Sequence, residues 1–192
     1  MTTHEPADFE AAFGAVLDDV LDVLAQLGIP HMLIGGLAVS VRAEPRATKD
    51  IDLSVLVAPA EARQLTENMD ALGFRATAHG EAGPGSVIRY VRTGIDGIDR
   101  WVDVLCAGTP FEERALARAS TERLLGRDLP VATAEDLVIL KLLAGRPQDW
   151  ADVDVLLREH AGRLDDAYID ARAAEWEIED FVSRARNAAA RG

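Results

Sequence analysis

The stretch Asp50-Ile51-Asp52-Leu53-Ser54-Val55-Leu56-Val57 constrains the fold more than any other part of this chain. It reads as a strand, and in a strand successive side chains point to opposite faces. Ile51, Leu53 and Val55 then share a face that belongs in a core. Asp50 and Asp52 share the other face, about 6–7 Å apart at Cα from two steps of ~3.3 Å. The sheet that holds this strand therefore has a packed face and, at the strand's head, a face carrying paired charge.

The rest of the chain supplies what such a sheet needs. Phe9, Phe13, Val16, Leu17, Val20, Leu24 and Leu27 recur at three- and four-residue steps, so Asp8 to Leu27 is expected to be an amphipathic helix ended by Gly28 and Pro30. His31 to Ile34 is a short apolar strand. Gly35-Gly36 follows, and then a short helix over "LAVSVRA". The charged strand covers Asp50 to Val57. Pro59 to Leu72 is a helix that starts on proline and stops at Gly73. "FRATAH", "VIRYVRT" and "RWVDVLCAG" are strand-like segments separated by turns, and "GEAGPGS" is a loop. From Ala134 onward only helical patterns remain. This order predicts an α+β or α/β core with a helical C-terminal part. The expected division is a core with its N-terminal helix over residues 1–132 and a helical region packed on it over residues 133–192.

The totals bound the function. A chain of 192 residues that is 48% hydrophobic can bury one sizeable core. No apolar run reaches ~18 residues, so no transmembrane helix is expected. The opening "MTTHEPADFE" has no basic-then-apolar pattern of a signal peptide. The single cysteine, Cys106, excludes an internal disulfide and a Cys-based zinc site. A cytoplasmic location without a membrane partner is the expectation. The net charge of −13 is the reverse of a protein built to coat nucleic acid. It suits a divalent cation or a basic partner, and it serves solubility equally well.

Two carboxylates on one strand face raise each other's pKa unless a cation neutralises them. Their oxygens suit hard ions such as Mg²⁺. Asp103, an acid flanked by Val102 and Val104, offers a third carboxylate. Two-metal phosphoryl transfer uses such a set to bridge metals and to help activate an attacking hydroxyl. Gly35-Gly36 at a strand-to-helix junction allows close backbone approach and presents free N–H groups, as a phosphate cradle does. Each feature alone has a plain reading, as a solvent-facing strand residue or a steric turn.

Gly35-Gly36, thirteen residues, Asp50-Ile51-Asp52 and then Asp103 together resemble the polymerase β-type nucleotidyltransferase superfamily. The context "RATKDIDL" resembles the branch holding the type IV abortive-infection nucleotidyltransferase toxins and their uncharacterised relatives. The aminoglycoside- and lincosamide-modifying nucleotidyltransferases are more distant cousins of similar pattern. The resemblance covers residues 29 to 157. It implies a nucleotidyltransferase core with a mixed sheet and a nucleoside triphosphate, ATP among them, as substrate. Gly35 and Gly36 would hold the triphosphate. Asp50, Asp52 and Asp103 would be both the catalytic carboxylates and the ligands of Mg²⁺ or Mn²⁺. Many relatives have Gly-Ser where this chain has Gly-Gly, so backbone N–H groups must supply the missing hydroxyl contact.

Other residues follow from the same resemblance. Arg46, Thr48 and Lys49 precede the Asp pair and would face the nucleotide; the plain alternative for Arg46 and Lys49 is ordinary loop charge. Lys141 lies in "LVILKLLA" and either contacts nucleotide phosphate or snorkels to solvent. Downstream, "GRPQDWADVDVL" offers Arg146, Asp149, Asp152 and Asp154; Arg146, Asp152 and Asp154 either support the site or pair with one another to fix the helices. The implied activity is transfer of a nucleoside monophosphate to an acceptor hydroxyl on tRNA, a protein or a small molecule, with an antitoxin partner if the chain is a toxin. An antibiotic-modifying enzyme and a non-catalytic nucleotide-binding module are the alternatives.

Overall fold

A computed structural model describes residues 6–44, 48, 50–77, 83–94 and 97–191, with side chains from residue 11 onward. Helix α1 (Pro6–Leu27) buries Phe13, Val16, Leu17, Val20, Leu21 and Leu24, the stripe expected from its spacing. Strand β1 (His31–Ile34) leads directly into α2 (Gly35–Arg42), so the glycine pair is the first turn of that helix rather than a loop before it. Strand β2 (Asp50–Val55) and helix α3 (Pro59–Ala71) follow. Strands β3 (Arg75–Ala76), β4 (Val87–Thr93) and β5 (Asp99–Cys106) come next.

Three elements went unread in the sequence. Helix α4 (Pro110–Arg118) starts on a capping box in which Thr109 and Glu112 satisfy each other's backbone N–H groups. The motif Thr-Pro-Phe-Glu was its signal. Strands β6 (Ser120–Leu124) and β7 (Arg127–Val131) form a hairpin. Its turn, Leu125-Gly126, has both residues at positive φ, as a tight hairpin turn requires. Glu122, Arg123, Arg127 and Asp128 make the pair more charged than apolar, which hid the alternation. Helices α5 (Ala134–Ala144), α6 (Pro147–Glu159), α7 (Asp166–Glu175) and α8 (Glu179–Ala189) complete the chain.

The strands form one sheet in the order β3-β4-β5-β2-β1-β7-β6. It is mixed: β2 runs parallel to β5 and β1 parallel to β7, while the other neighbours are antiparallel. The mixed α/β fold expected from the sequence is the fold observed. Ile51, Leu53 and Val55 are fully buried, and one apolar cluster runs from α1 through the sheet to α8. Among the described residues no helix is long and apolar enough to cross a membrane.

Candidate active site

The register of the sheet decides where the acids stand. Asp52 lies directly beside Asp103 across the parallel β2–β5 pair, and Asp50 lies beside Trp101. Residues in register share a face, so Asp50, Asp52 and Asp103 all project from the same side of the sheet. On the other flank of β2, Ile34 is opposite Asp52, and α2 begins at the next residue. The head of α2 is thereby delivered to the Asp52 carboxylate.

Gly35 makes that approach possible. Its φ is +68°, and a Cβ built there would fall 2.1 Å from Asp52 Oδ2. No side chain fits. Asp52 accepts the N–H of Gly36 and so satisfies one of the free donors at the start of α2. A Gly35→Ala chain is expected to lose about 1–3 kcal/mol from the left-handed backbone alone. The clash with Asp52 adds to that. Thermal melting checks it, and an unchanged midpoint would mean that Asp52 stands elsewhere in solution.

Asp52 is pushed up to about 6. Burial is the largest cause, and repulsion from Asp103 comes next, with a smaller push from Asp50; Lys141 and the Gly36 N–H act the other way. Asp103 is not open. Arg89, opposite it on β4, donates Nε to Oδ1 at 2.7 Å and Nη2 to Oδ2 at 2.5 Å. This bidentate pair raises the guanidinium's own pKa further.

The wall facing the carboxylates comes from α5 and α6. Lys141 is only 6% exposed, and its ammonium sits 3.0 Å from Asp149 Oδ1 and 2.8 Å from Asp152 Oδ2. It does not snorkel. In this structure its donors go to carboxylates rather than into open space. Arg146 caps the start of α6 by donating its backbone N–H and Nε to Asp149 Oδ2. Burial pushes Asp149 up, but the hydrogen bonds from Arg146 and Lys141 outweigh it and hold the carboxyl below its ordinary value. Between the two walls lies a cleft of about 420 Å³. Gly35, Asp52, Asp103, Lys141, Arg146 and Asp149 line its polar side, and Val87, Leu105, Leu137 and Leu140 its apolar side.

The structure thus gathers Gly35, Asp52, Asp103, Lys141 and Arg146 around one cleft, with Asp50 on the same sheet face and Asp152 behind Lys141. It does not bring Asp154 there. Asp154 pairs with Arg158 one turn along α6, and the expected pairing of Arg146 with Asp152 or Asp154 is replaced by Arg146 with Asp149. Thr48 turns its hydroxyl back to the Asp50 carbonyl at 3.4 Å. Arg46 and Lys49 lie outside the described residues. Sequence reasoning assigned no role to Asp149 and did not single out Arg89. For Arg89 the sequence carried only the alternation of Val87, Arg89 and Val91 on one strand face; that this face pairs with Leu105, Asp103 and Trp101 is set by the register of the sheet.

The donor set suits a hard divalent cation. Its ligands would be carboxylate oxygens, and the repulsion from Asp103 and Asp50, which adds to burial in lifting Asp52, is what a cation would relieve. Among the described residues, no three acidic, His or Cys side chains are already drawn into a metal-holding cluster.

Comparison with known proteins accords with this geometry. No curated protein matches the chain. The antibiotic-resistance factor ANT(2'')-Ia has a similar structure, with a TM-score of 0.61 at 15% identity over 91% of this chain and 96% of that one. A second structure of it, in complex with adenylyl-2''-tobramycin, gives 0.59 at 15% identity over 85% and 98%. An antigenic nucleotidyltransferase-like protein from Paracoccidioides brasiliensis gives 0.57 at 16% identity over 92% and 93%. At such identities the likeness is one of fold. The family model described as uncharacterised nucleotidyltransferase matches residues 7–191, nearly the whole chain, and the chain therefore belongs to that nucleotidyltransferase family.

Proposed function

We propose that this chain moves a nucleoside monophosphate from a nucleoside triphosphate to an acceptor hydroxyl. The observation that carries the reading is the cleft itself, in which Asp52 and Asp103 on adjacent strands face the α2 terminus across from Lys141 and Arg146. Asp50, Asp52 and Asp103 would hold Mg²⁺ or Mn²⁺. When bound, the cation neutralises the phosphates and polarises the reacting phosphoryl group.

The chain's own groups do the rest. The N–H groups at the head of α2 offer a positive end to a phosphate oxygen. Lys141 and Arg146 add fixed positive charge, held in place by Asp149 and Asp152. Asp103 takes the proton of the acceptor hydroxyl. That oxygen bonds to the α-phosphorus as the bond to pyrophosphate breaks, and catalysis is mostly positioning and charge neutralisation. The apolar side of the cleft, Val87, Leu105, Leu137 and Leu140, excludes water from one flank of the bound pair.

For the acceptor, the sequence context "RATKDIDL" supports a toxin-type activity on tRNA or a protein, with a cognate antitoxin as partner. A small cationic acceptor is the second reading. It is favoured by the net charge of −13 and by the fold shared with a protein bound to adenylyl-2''-tobramycin.

Incubation with each α-labelled triphosphate and Mg²⁺ tests the proposal. Total RNA, total protein and a panel of aminoglycosides and lincosamides would be the acceptors. Label is expected in one acceptor class with release of pyrophosphate. Nucleotide binding without transfer to any class would instead identify a binding module. Growth arrest on expression separates the toxin from the drug-modifying enzyme.

A further inference from the structure

The nucleotidyl-transfer reading leaves one side chain on the carboxylate face without a task. Arg89 stands beside Asp103 across the β4–β5 pair, as Asp52 stands beside it across β2–β5. Three neighbouring strands thus carry a row of charges: plus, minus, minus. The guanidinium fork covers both oxygens of Asp103 at 2.7 and 2.5 Å. A carboxylate engaged in this way shares its charge with the arginine, and a fixed guanidinium repels any cation that approaches the same oxygens. Arg89 also feels the charges of Asp50 and Asp52.

Its side chain is 52% exposed, so the pair is not locked by packing. The guanidinium carbon already lies 5.7 Å from the centre of the Trp101 ring, two residues before Asp103 on the same strand face. That ring is a second resting place within reach of a rotamer change.

We infer that Arg89 is the resident counter-ion of Asp103 in the cation-free protein, and that Asp103 ligates a divalent cation only when Arg89 releases it. The pair and the cation exclude each other. An anion that draws the guanidinium away, as the phosphates of an incoming nucleotide do, then raises the affinity for the cation. Cation and nucleotide bind with positive coupling as a result. The inference rests on the nucleotidyl-transfer reading of the site.

Titration of the full chain with Mn²⁺, without nucleotide, followed by electron spin resonance or calorimetry, tests it. Arg89→Gln is expected to bind Mn²⁺ about 5-fold or more tightly than the wild type. Arg89→Lys falls between them, because an ammonium cannot form the fork. In an Asp103→Asn background, Arg89→Gln should make no difference. Unchanged or weaker binding by Arg89→Gln overturns the inference. So does a gain of equal size in the Asp103→Asn background, which would mean charge acting at a distance rather than through the pair. Asp52→Asn separates this from the reading beneath it. If Asp52→Asn binds Mn²⁺ as the wild type does, the site reading fails and takes the inference with it. If Asp52→Asn loses Mn²⁺ while Arg89→Gln gains nothing, only the inference fails.

Discussion

Asp52→Asn is expected to abolish nucleotidyl transfer and, in the same protein, to raise the melting temperature in EDTA at pH 7.5. The first effect follows from losing a carboxylate at the centre of the cleft, and a fall of at least about 10³-fold is expected. The second follows from the environment of Asp52, whose pKa is lifted from 3.8 to about 6 chiefly by burial and then by Asp103. For such a group the folded chain binds the proton more tightly than the unfolded chain does. The stability it contributes is fully present below pH 3.8 and is lost as pH rises through about 6. At neutral pH the ionised side chain therefore costs at most about 3 kcal/mol, at about 1.4 kcal/mol per pK unit.

Asparagine keeps an acceptor for the Gly36 N–H and removes the charge. The gain should amount to several degrees at pH 7.5 and vanish near pH 4, at ~2–4 °C per kcal/mol for a chain of this size. A gain that does not change with pH would assign the effect to packing. Added Mg²⁺ should stabilise the wild type and leave Asp52→Asn unmoved.

Lys141→Met has the opposite sign. The ammonium is the shared partner of Asp149 and Asp152, whose side chains are 1% and 2% exposed. Methionine keeps the length but leaves two buried carboxylates facing each other, with Arg146 still on Asp149. Breaking a buried pair from one side costs about 3 kcal/mol or more, so the melting temperature should fall by roughly 6–12 °C. Adding Asp152→Asn should restore part of that loss, since it removes the charge of one of the two carboxylates that Lys141 joins. A Lys141→Met chain that melts with the wild type would show that the three side chains do not form this cluster in solution. A Lys141→Met/Asp152→Asn chain that recovers stability but not transfer would separate Lys141's charge in the cleft from its part in joining α5 to α6.

The sequence made the carboxylate strand legible because period-two alternation is a local property. Ile51, Leu53 and Val55 had to go inward, and Asp50 and Asp52 had to share a face. Pairing is not local. That Asp103 stands in register with Asp52, and that Arg89 covers Asp103, depends on strand order, which alternation within one segment does not encode. Lys141 shows the same limit. Its apolar neighbours marked a lysine that needed either an anion or a way out to solvent, and the nearest acid in its own helix, Asp136, is not that anion. Asp136 bonds Thr133, Tyr168 and Arg118 instead. Which of the three downstream aspartates would answer Lys141 depended on how α6 folds back on α5. The missed hairpin of β6 and β7 has a different cause, since charged edge strands carry little of the apolar pattern by which strands are recognised.

The parentage of the cleft also orders the events by which a newly made chain acquires it. Gly35, Asp52 and Asp103 lie on α2, β2 and β5 and can be aligned once the chain through Cys106 has left the ribosome. Lys141 follows, but Asp149 and Asp152 arrive later, on α6. Until that helix docks, the cleft has one wall and its lysine has no counter-ion. A nascent chain stalled before Pro147 would hold the carboxylates of β2 and β5 and still lack α6, so competence to hold a nucleotide should appear only once that helix has been made.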